Sequence, residues 1–382
     1  MDYQKLNLND NPFASTPTTG RPIWCGMPQL KSVLERRLEI SLKTSPTSLV
    51  LNWGHYGSGK THAAKYFASE ESLKQIALAC GVAEPPLAFY VNFPRVDRGA
   101  VFNLTSSIIG KFGVTDFASK LQQAKASLDK SSAGLFARLL QEYCEDSELQ
   151  KIFHKLVEGN PDNQDRIGRV LFGNSSAADL RDLQIARKPD SVSDLCRIVT
   201  TAFNLFTFRS QDVSALRPAI HLWIDEFEDI SSLSGKEQDA LAAYLRTLVD
   251  LCPKYLTIFL NFTLTPVQQL QDLSLYLGDA VMSRIRQRVE FVEPEKPEVK
   301  AYVREMLNSP GIRVQPATAG NEFQPFDAAA VDAIVEAVSP RTPRRLNEVF
   351  SFYLDLVAGT NSVQRISGVM VTQYAGEIGL SQ

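Results

Sequence analysis

The stretch that decides the fold is Gly54-His-Tyr-Gly-Ser-Gly-Lys-Thr61, which matches the pattern G-x-x-x-x-G-K-[ST] in full. A short apolar run, 48–53, precedes it and a helical pattern, 61–67, follows it, so it joins a predicted buried strand to a predicted helix. Glycines let the backbone N–H groups of such a loop turn inward around phosphates, and the N-terminus of the next helix adds favourable partial charge. The sequence therefore predicts a phosphate-binding loop.

The motif also assigns roles within this loop. Lys60 is expected to reach the β- and γ-phosphates of a nucleotide, and the Thr61 hydroxyl is expected to ligate Mg²⁺. The other nucleotide contacts of this segment are expected from Gly54, His55, Tyr56, Gly57, Ser58, Gly59 and His62.

A second segment, His221-Leu-Trp-Ile-Asp-Glu226, is typical of an apolar strand that ends in two carboxylates. Side chains alternate along a strand, so Asp225 and Glu226 point differently and can take different roles. We expect Asp225 to be a Mg²⁺ partner beside Thr61, outside the direct ligands. Glu226 is expected to be the base that orients and polarises the attacking water. With the phosphate loop, this segment predicts ATP and Mg²⁺ as cofactors.

The pattern along the rest of the chain indicates an α/β fold. Further strands are predicted at 87–93, 216–224, 256–262 and 289–292, with helical patterns at 27–43, 98–208, 297–307, 327–338, 343–357 and 366–378. Strands alternating with helices imply a mostly parallel five-stranded sheet covered on both faces. The predicted domains are 1–47 (an N-terminal arm and the helix that follows it), 48–294 (the nucleotide-binding domain, with a mainly helical insertion at 98–210) and 295–382 (an all-helical lid). Within the first, 1–22 is expected to be extended rather than packed.

Composition excludes several classes of protein. The formal net charge is -3, which disfavours nucleic-acid binding through a strong overall positive field but leaves a local basic patch open. The five cysteines form no CxxC pair, which argues against a zinc site and for a reducing compartment. The N-terminus has no signal pattern and no apolar run is long enough to span a bilayer, so a cytoplasmic protein without membrane contact is expected.

Three other nucleotide-binding classes fit less well. Leu233-Ser-Gly-Lys-Glu-Gln238 is similar to the signature loop of ABC transporters, but it follows the acidic strand instead of preceding it. No N-K-x-D follows the phosphate loop, which disfavours a guanine-specific GTPase. A small-molecule kinase would need neither the Asp225–Glu226 pair nor the segments described next.

Over roughly 10–355 the sequence resembles the AAA+ superfamily, in its initiator-like branch of origin-recognition and transposition-regulator ATPases. Asn11-Pro-Phe13 followed by Trp24-Cys-Gly26 is similar to the start of that branch, where this segment packs on adenine. The resemblance implies Ile23 and Trp24 as nucleotide contacts. Met27 stands where the branch usually has arginine, so this part of the match is loose.

The resemblance also implies residues that sense or complete the nucleotide site. Asn261 resembles the polar sensor of the γ-phosphate or water, with Thr263 as the alternative. Met282-Ser-Arg-Ile-Arg-Gln-Arg-Val-Glu-Phe291 is similar to the box whose arginine acts on a neighbouring subunit's ATP, which implies Arg284, or else Arg286. Ser339-Pro-Arg-Thr-Pro-Arg-Arg-Leu-Asn347 is similar to the second sensor, in which Arg344 contacts the γ-phosphate and Arg345 faces solvent.

These segments together imply an ATPase that assembles into a ring or open spiral and switches a partner on hydrolysis. Short stretches at 171–174, 178–185 and 223–228 are similar to ATPases of BREX-type phage-defence operons, so protein partners in a defence or DNA-modification system are expected. The alternatives are a transposition or replication regulator that loads on DNA, and a non-enzymatic scaffold locked by ATP.

Overall fold

The computed structural model describes residues 2–13, 22–96, 98–265, 270–317, 320–360 and 365–380. The chain forms two compact units, each with its own hydrophobic core. Unit 1 comprises Met1–Leu34, Gly54–Tyr66 and Glu290–Gln382, and unit 2 comprises Glu35–Trp53 and Phe67–Val289. The phosphate loop therefore belongs to unit 1, whereas the strand segment that leads into it belongs to unit 2.

A five-stranded parallel sheet organises unit 2, as the sequence predicts. Its strands are β1 (Ser48–His55), β2 (Leu87–Asn92), β3 (Ile220–Asp225), β4 (Leu256–Leu264) and β5 (Ile285–Glu290), in the order β2-β3-β4-β1-β5. Every residue of β3 is buried, because a central parallel strand is covered on both faces. The register pairs Asn92 with Asp225 and Ile224 with Leu260, so the carboxyl ends of three neighbouring strands are aligned.

Several helices precede β5 along the chain. They are α1 (Pro28–Lys43), α2 (Lys60–Phe67), α3 (Glu70–Ala79), α4 (Ala100–Phe112), α5 (Val114–Ser131), α6 (Leu135–Tyr143), α7 (Ser147–Val157), α8 (Pro161–Leu171), α9 (Ala177–Asp182), α10 (Val192–Thr207), α11 (Gly235–Leu251) and α12 (Leu273–Met282). Helices α4 to α10 fill the chain between β2 and β3, so this stretch is helical as expected. Aromatic packing holds it to the sheet: the ring of Phe89 on β2 lies 4.7 Å from that of Phe112 and 5.5 Å from that of Phe203.

Unit 1 is built on the helices after β5. They are α13 (Lys296–Leu307), α14 (Ala328–Ala337), α15 (Pro343–Gly359) and α16 (Gly368–Tyr374). The expectation that 1–22 is an unpacked arm is wrong for 2–13. Leu6, Leu8 and Phe13 are fully buried, and the Phe13 ring stacks on that of Phe350 at 5.1 Å. These three apolar side chains pack because burying them removes their surface from water. Residues 14–21 lie outside the described part of the chain.

The predicted position of the last strand is also wrong. It was expected at 289–292, but β5 spans Ile285–Glu290. Ile285 and Val289 are buried while Arg286 and Arg288 are exposed, so this edge strand lacks the apolar run that marks the other strands in the sequence. No helix in the described part of the chain is long and apolar enough to cross a membrane.

Candidate functional site

The glycine-rich loop of unit 1 wraps around the ammonium of its own lysine. Lys60 begins α2 and is buried, and its Nζ donates to the backbone oxygens of Gly54 at 2.9 Å and His55 at 3.0 Å. The loop closes on itself through the N–H of Ser58, which donates to the His55 oxygen at 3.2 Å. Its fold thus places a fixed positive charge at the N-terminus of a helix, where anions are favoured.

Three positions of this loop require glycine. Gly57 and Gly59 have φ of 79° and 98°, in the left-handed region that side chains rarely adopt. A Cβ at Gly57 would lie 2.9 Å from Cβ of Arg344, and a Cβ at Gly54 would lie 2.7 Å from the backbone oxygen of Phe291. The glycines of the motif are therefore fixed both by backbone conformation and by space.

The N-terminus of α15 lies against the same loop. Thr342 caps this helix by accepting from the N–H of Arg345, and the N–H of Arg344 donates to the Gly57 oxygen at 3.3 Å. The guanidinium of Arg344 lies over the ring of Tyr56, 4.5 Å from its centroid. The structure therefore brings Arg344 to the phosphate loop, and its role on a γ-phosphate stays a prediction.

Arg345 is only partly exposed and is bound within unit 1, whereas the sequence predicts that it faces solvent. It donates to the backbone oxygen of Ile378 and lies 3.4 Å from the carboxylate of Glu348. The reason is that Ile378 ends a 3₁₀ turn whose carbonyl oxygens need donors, and the arginine supplies them.

The segment expected to pack on adenine lies beside α2. Nε2 of His62 is 2.7 Å from the backbone oxygen of Ile23, and because a carbonyl only accepts, Nε2 carries the proton. Burial lowers the pKa of His62, so the ring is neutral at pH 7. The ring of Trp24 lies 6.4 Å from that of His62 and 5.5 Å from that of Tyr66. Unit 1 therefore places an aromatic cluster next to its phosphate loop.

In unit 2, the carboxylate of Asp225 is buried and held on both oxygens. Asn261 donates to Oδ1 at 2.9 Å, and the Tyr90 hydroxyl donates to Oδ2 at 2.8 Å. Asn52 in turn donates to Oδ1 of Asn261 at 2.9 Å. Sequence reasoning missed Tyr90 and Asn52; the one available signal was a polar Asn52 inside an apolar strand.

Glu226 follows in a strained conformation. Its φ of 57° and ψ of 38° place a non-glycine residue in the left-handed region, which costs of order 1 kcal/mol and is typical of functional positions. The carboxylate is partly exposed and lies 3.3 Å from the guanidinium of Arg95, which also pairs with Asp229. Burial raises the pKa of Glu226, and Arg95 opposes that effect. Arg95 was not identified from sequence.

The two sensor candidates differ in what they contact. Asn261 is fully buried and its side chain meets Asp225, whereas Thr263 contributes its backbone N–H to Glu228 at 3.0 Å. The structure therefore distinguishes Asn261 as the one linked to the acidic strand end.

The two arginines considered for action on a neighbouring subunit's ATP also differ in their contacts. Arg284 is bound within its own chain, to Asp250 at 2.9 Å and to the backbone oxygen of Ala280 at 2.8 Å. Arg286 is exposed on the edge strand β5.

The donor set suits a magnesium nucleotide better than a metal held by protein alone. In the described ranges, no group of three or more His, Cys, Asp or Glu side chains is placed to hold a metal ion. Mg²⁺ usually keeps several waters and takes only one or two protein ligands beside substrate phosphates. Thr61 in unit 1 and Asp225 in unit 2 each carry an oxygen of the kind that Mg²⁺ prefers, and the loop around Lys60 suits a polyphosphate.

Solved structures resemble this chain over nearly its whole length. The ORC1 protein of Aeropyrum pernix in complex with DNA matches with a TM-score of 0.51 and 14% identity, covering 97% of this chain and 70% of that one. The ORC2 protein of Aeropyrum pernix in ADPNP–ADP complexes matches with a TM-score of 0.54 and 11% identity, covering 97% and 72%. The chain therefore shares the fold of these two ORC proteins. No protein-family model and no curated sequence matches the chain.

This shared fold confirms the α/β fold class predicted from sequence and bears out the resemblance inferred there. At such low identity the likeness speaks for the fold alone, so the roles of individual residues rest on their own geometry.

Proposed function

We propose that this chain binds ATP with Mg²⁺ and hydrolyses it to ADP and phosphate. The observation that carries the proposal is the loop of unit 1, in which Gly57 and Gly59 adopt positive φ around the buried ammonium of Lys60. This arrangement suits a polyphosphate, because backbone N–H groups, a helix N-terminus and a lysine all favour negative charge.

The roles proposed for the remaining residues follow from their chemistry. Thr61 and Asp225 would serve the metal, which neutralises charge on the phosphates when it is bound. Glu226 would orient the attacking water and accept its proton, and its raised pKa places it nearer to neutral pH than an ordinary glutamate. Asn261 fixes one oxygen of Asp225. The aromatic cluster at Trp24 and the backbone of Ile23 would face the base.

A non-enzymatic scaffold locked by ATP is the rival proposal. A strained, partly exposed Glu226 speaks against it, because a scaffold gains nothing from a left-handed glutamate at a strand end. Replacing Glu226 with Gln separates the two. We expect Glu226→Gln to retain ATP binding and to lose hydrolysis at least a hundredfold, within the range usual for a general base. Unchanged hydrolysis in that variant would overturn the assignment.

Assembly with ATP is a second part of the proposal. An arginine acting on a neighbour's nucleotide needs a partner subunit, and Arg284 and Arg286 are the candidates. Arg284 would first have to leave Asp250, whereas Arg286 is already exposed. In a homo-oligomer, mixing inactive Glu226→Gln subunits with inactive arginine variants should restore activity at the interfaces that combine two intact halves. If neither the Arg284→Ala mixture nor the Arg286→Ala mixture regained activity, this would count against an arginine that acts on a neighbouring subunit's ATP.

The biological setting proposed is a nucleotide-controlled switch associated with DNA or with a DNA-processing complex. In favour of DNA is the likeness of the fold to the Aeropyrum pernix ORC1 protein, which was solved in complex with DNA. The role in a defence system rests on the short sequence likeness alone, and the structural comparisons add nothing to it. Protection of a DNA fragment with ATP but not with ADP would support the association with DNA. Absence of DNA binding with both nucleotides, at low as well as at high salt, would contradict it.

A further inference from the structure

One line of hydrogen bonds crosses four neighbouring strands of unit 2. It joins Tyr90 on β2, Asp225 on β3, Asn261 on β4 and Asn52 on β1, which stand next to one another in the sheet in that order. Three of these side chains, those of Asp225, Asn261 and Asn52, are almost fully buried. Buried polar groups are costly unless they are bonded, so such a line inside an apolar sheet calls for a reason.

The direction of every bond in the line follows from the charge of Asp225. An ionised carboxylate only accepts, so Asn261 must present its NH₂ group to it. The amide oxygen of Asn261 then faces Asn52, which must present its own NH₂ group. At the other end, Tyr90 must donate its hydroxyl proton, because the carboxylate oxygen 2.8 Å away only accepts.

The far end of the line is not satisfied by protein. Oδ1 of Asn52 is buried without a hydrogen-bond partner among the described residues. Turning this amide round to look for a donor would bring two oxygens face to face at Asn261. The orientation that leaves Oδ1 of Asn52 unsatisfied is therefore also the one that holds Asn261, and through it Asp225, in one orientation.

We propose that Tyr90 and Asn52 are positioning residues for the magnesium-linked carboxylate of Asp225, with Tyr90 holding one oxygen directly and Asn52 holding the other through Asn261. This inference rests on the proposed binding of magnesium and ATP. Neither residue touches the nucleotide in this account. Their task is to remove the rotational freedom of Asp225, so that its carboxylate is in place before the metal arrives.

The test measures how much magnesium strengthens nucleotide binding. A fluorescent ATP analogue is titrated into the full chain once with magnesium and once in EDTA, and the ratio of the two dissociation constants is compared between variants. A general loss of fold affects both titrations, so this ratio isolates the metal-linked part of binding. Asp225→Asn sets the ratio expected when the carboxylate is absent.

Tyr90→Phe removes one hydroxyl and should lower the ratio about tenfold, because a hydrogen bond to a charged group is lost. Asn52→Leu, which acts only through Asn261, should lower it by a smaller factor, about threefold. The matched control is Tyr244→Phe, which removes the hydroxyl of a different tyrosine of unit 2, one bonded to Thr105 at 3.0 Å. This control should leave the ratio unchanged.

A Tyr90→Phe ratio equal to that of the Tyr244→Phe control, while Asp225→Asn lowers it, would overturn the positioning role and leave the proposed function standing. A ratio of one in the wild type would mean that magnesium does not strengthen nucleotide binding. Asp225 would then have no role at the metal, and the inference would be overturned. Absence of nucleotide binding in both titrations of the wild type would instead contradict the proposed function.

Discussion

The guanidinium of Arg344 lies over the ring of Tyr56, 4.5 Å from its centroid, and the Arg344 N–H donates to the oxygen of Gly57. The first contact depends on an aromatic side chain in the phosphate loop, and the second depends only on backbone. Because Tyr56 is exposed over 68% of its surface, the ring has few other packing duties. We expect the ring to keep the arginine at the loop.

The first prediction concerns this pair. Tyr56→Ala should lower the preference for ATP over ADP about two- to fivefold, because a cation–π contact at an exposed site contributes about 0.5–1 kcal/mol. Tyr56→Phe keeps the ring and should behave like the wild type. Calorimetric dissociation constants for both nucleotides measure the preference. An alanine variant with the wild-type preference would show that the ring has no part in placing Arg344.

The second prediction concerns the pH dependence of hydrolysis. Burial raises the pKa of Glu226, so the acid side of the rate profile at saturating ATP should have its midpoint above the usual range of a glutamate. Arg95, 3.3 Å away, favours the ionised form. Arg95→Ala should therefore move the midpoint to still higher pH. A midpoint that moves down, or does not move, in this variant would contradict the pairing.

The third prediction concerns stability and pH. The Ser41 hydroxyl donates to the backbone oxygen of Leu38, so Nε2 of His221 must donate to Ser41, and Nδ1 has no hydrogen-bond partner among the described residues. Full burial lowers the pKa of His221 to about 3. The unfolded chain binds this proton more readily than the folded one, so stability is fully present above about pH 6.5 and is lost as the pH falls toward 3.

Urea unfolding of the wild type and of His221→Gln at several pH values measures this effect. The glutamine keeps a donor for Ser41 but cannot titrate. The wild type should lose up to about 1.4 kcal/mol per pH unit more than the variant below pH 6. Parallel curves for the two proteins would mean that His221 is protonated in the folded state or is accessible to water.

The fourth prediction concerns the N-terminal segment. Phe13 is fully buried between Phe326 and Phe350, so Phe13→Ala should destabilise unit 1 by about 3–5 kcal/mol. Val369→Ala, at a side chain exposed over 78% of its surface, is the control and should change stability by less than about 0.5 kcal/mol. Thermal unfolding followed by calorimetry compares them. Equal transitions would restore the view of this segment as an unpacked arm.

The features that the sequence predicts well are those that need fixed residue types at fixed spacing. The loop at 54–61, the acidic end of β3 and the alternation of strands and helices belong to this group. Tyr90 and Asn52 could not be found in that way, because their contacts depend on strand order and register. Register places Tyr90 opposite Trp223, two residues before Asp225, and helices α4 to α10 separate these strands along the chain.

The mistaken expectations have local causes. Exposed arginines interrupt the apolar pattern of the edge strand β5, so the sequence predicts the last strand several residues too late. Arg345 was expected in solvent because the carbonyl oxygens it binds belong to a turn more than thirty residues later in the chain. The apolar side chains of 2–13 are too few to form a helical or strand pattern, and only the core they enter shows that they pack.

Calorimetric titration of the purified chain with ATP and magnesium tests the central claim most directly, using Lys60→Ala as the comparison. The account predicts saturable binding by the wild type and at least a tenfold weaker affinity for Lys60→Ala. The reason is that the Lys60 ammonium, held by the backbone oxygens of the loop, is the positive charge that binds the phosphates. Failure of the wild type to bind, or equal binding by the two proteins, would contradict it.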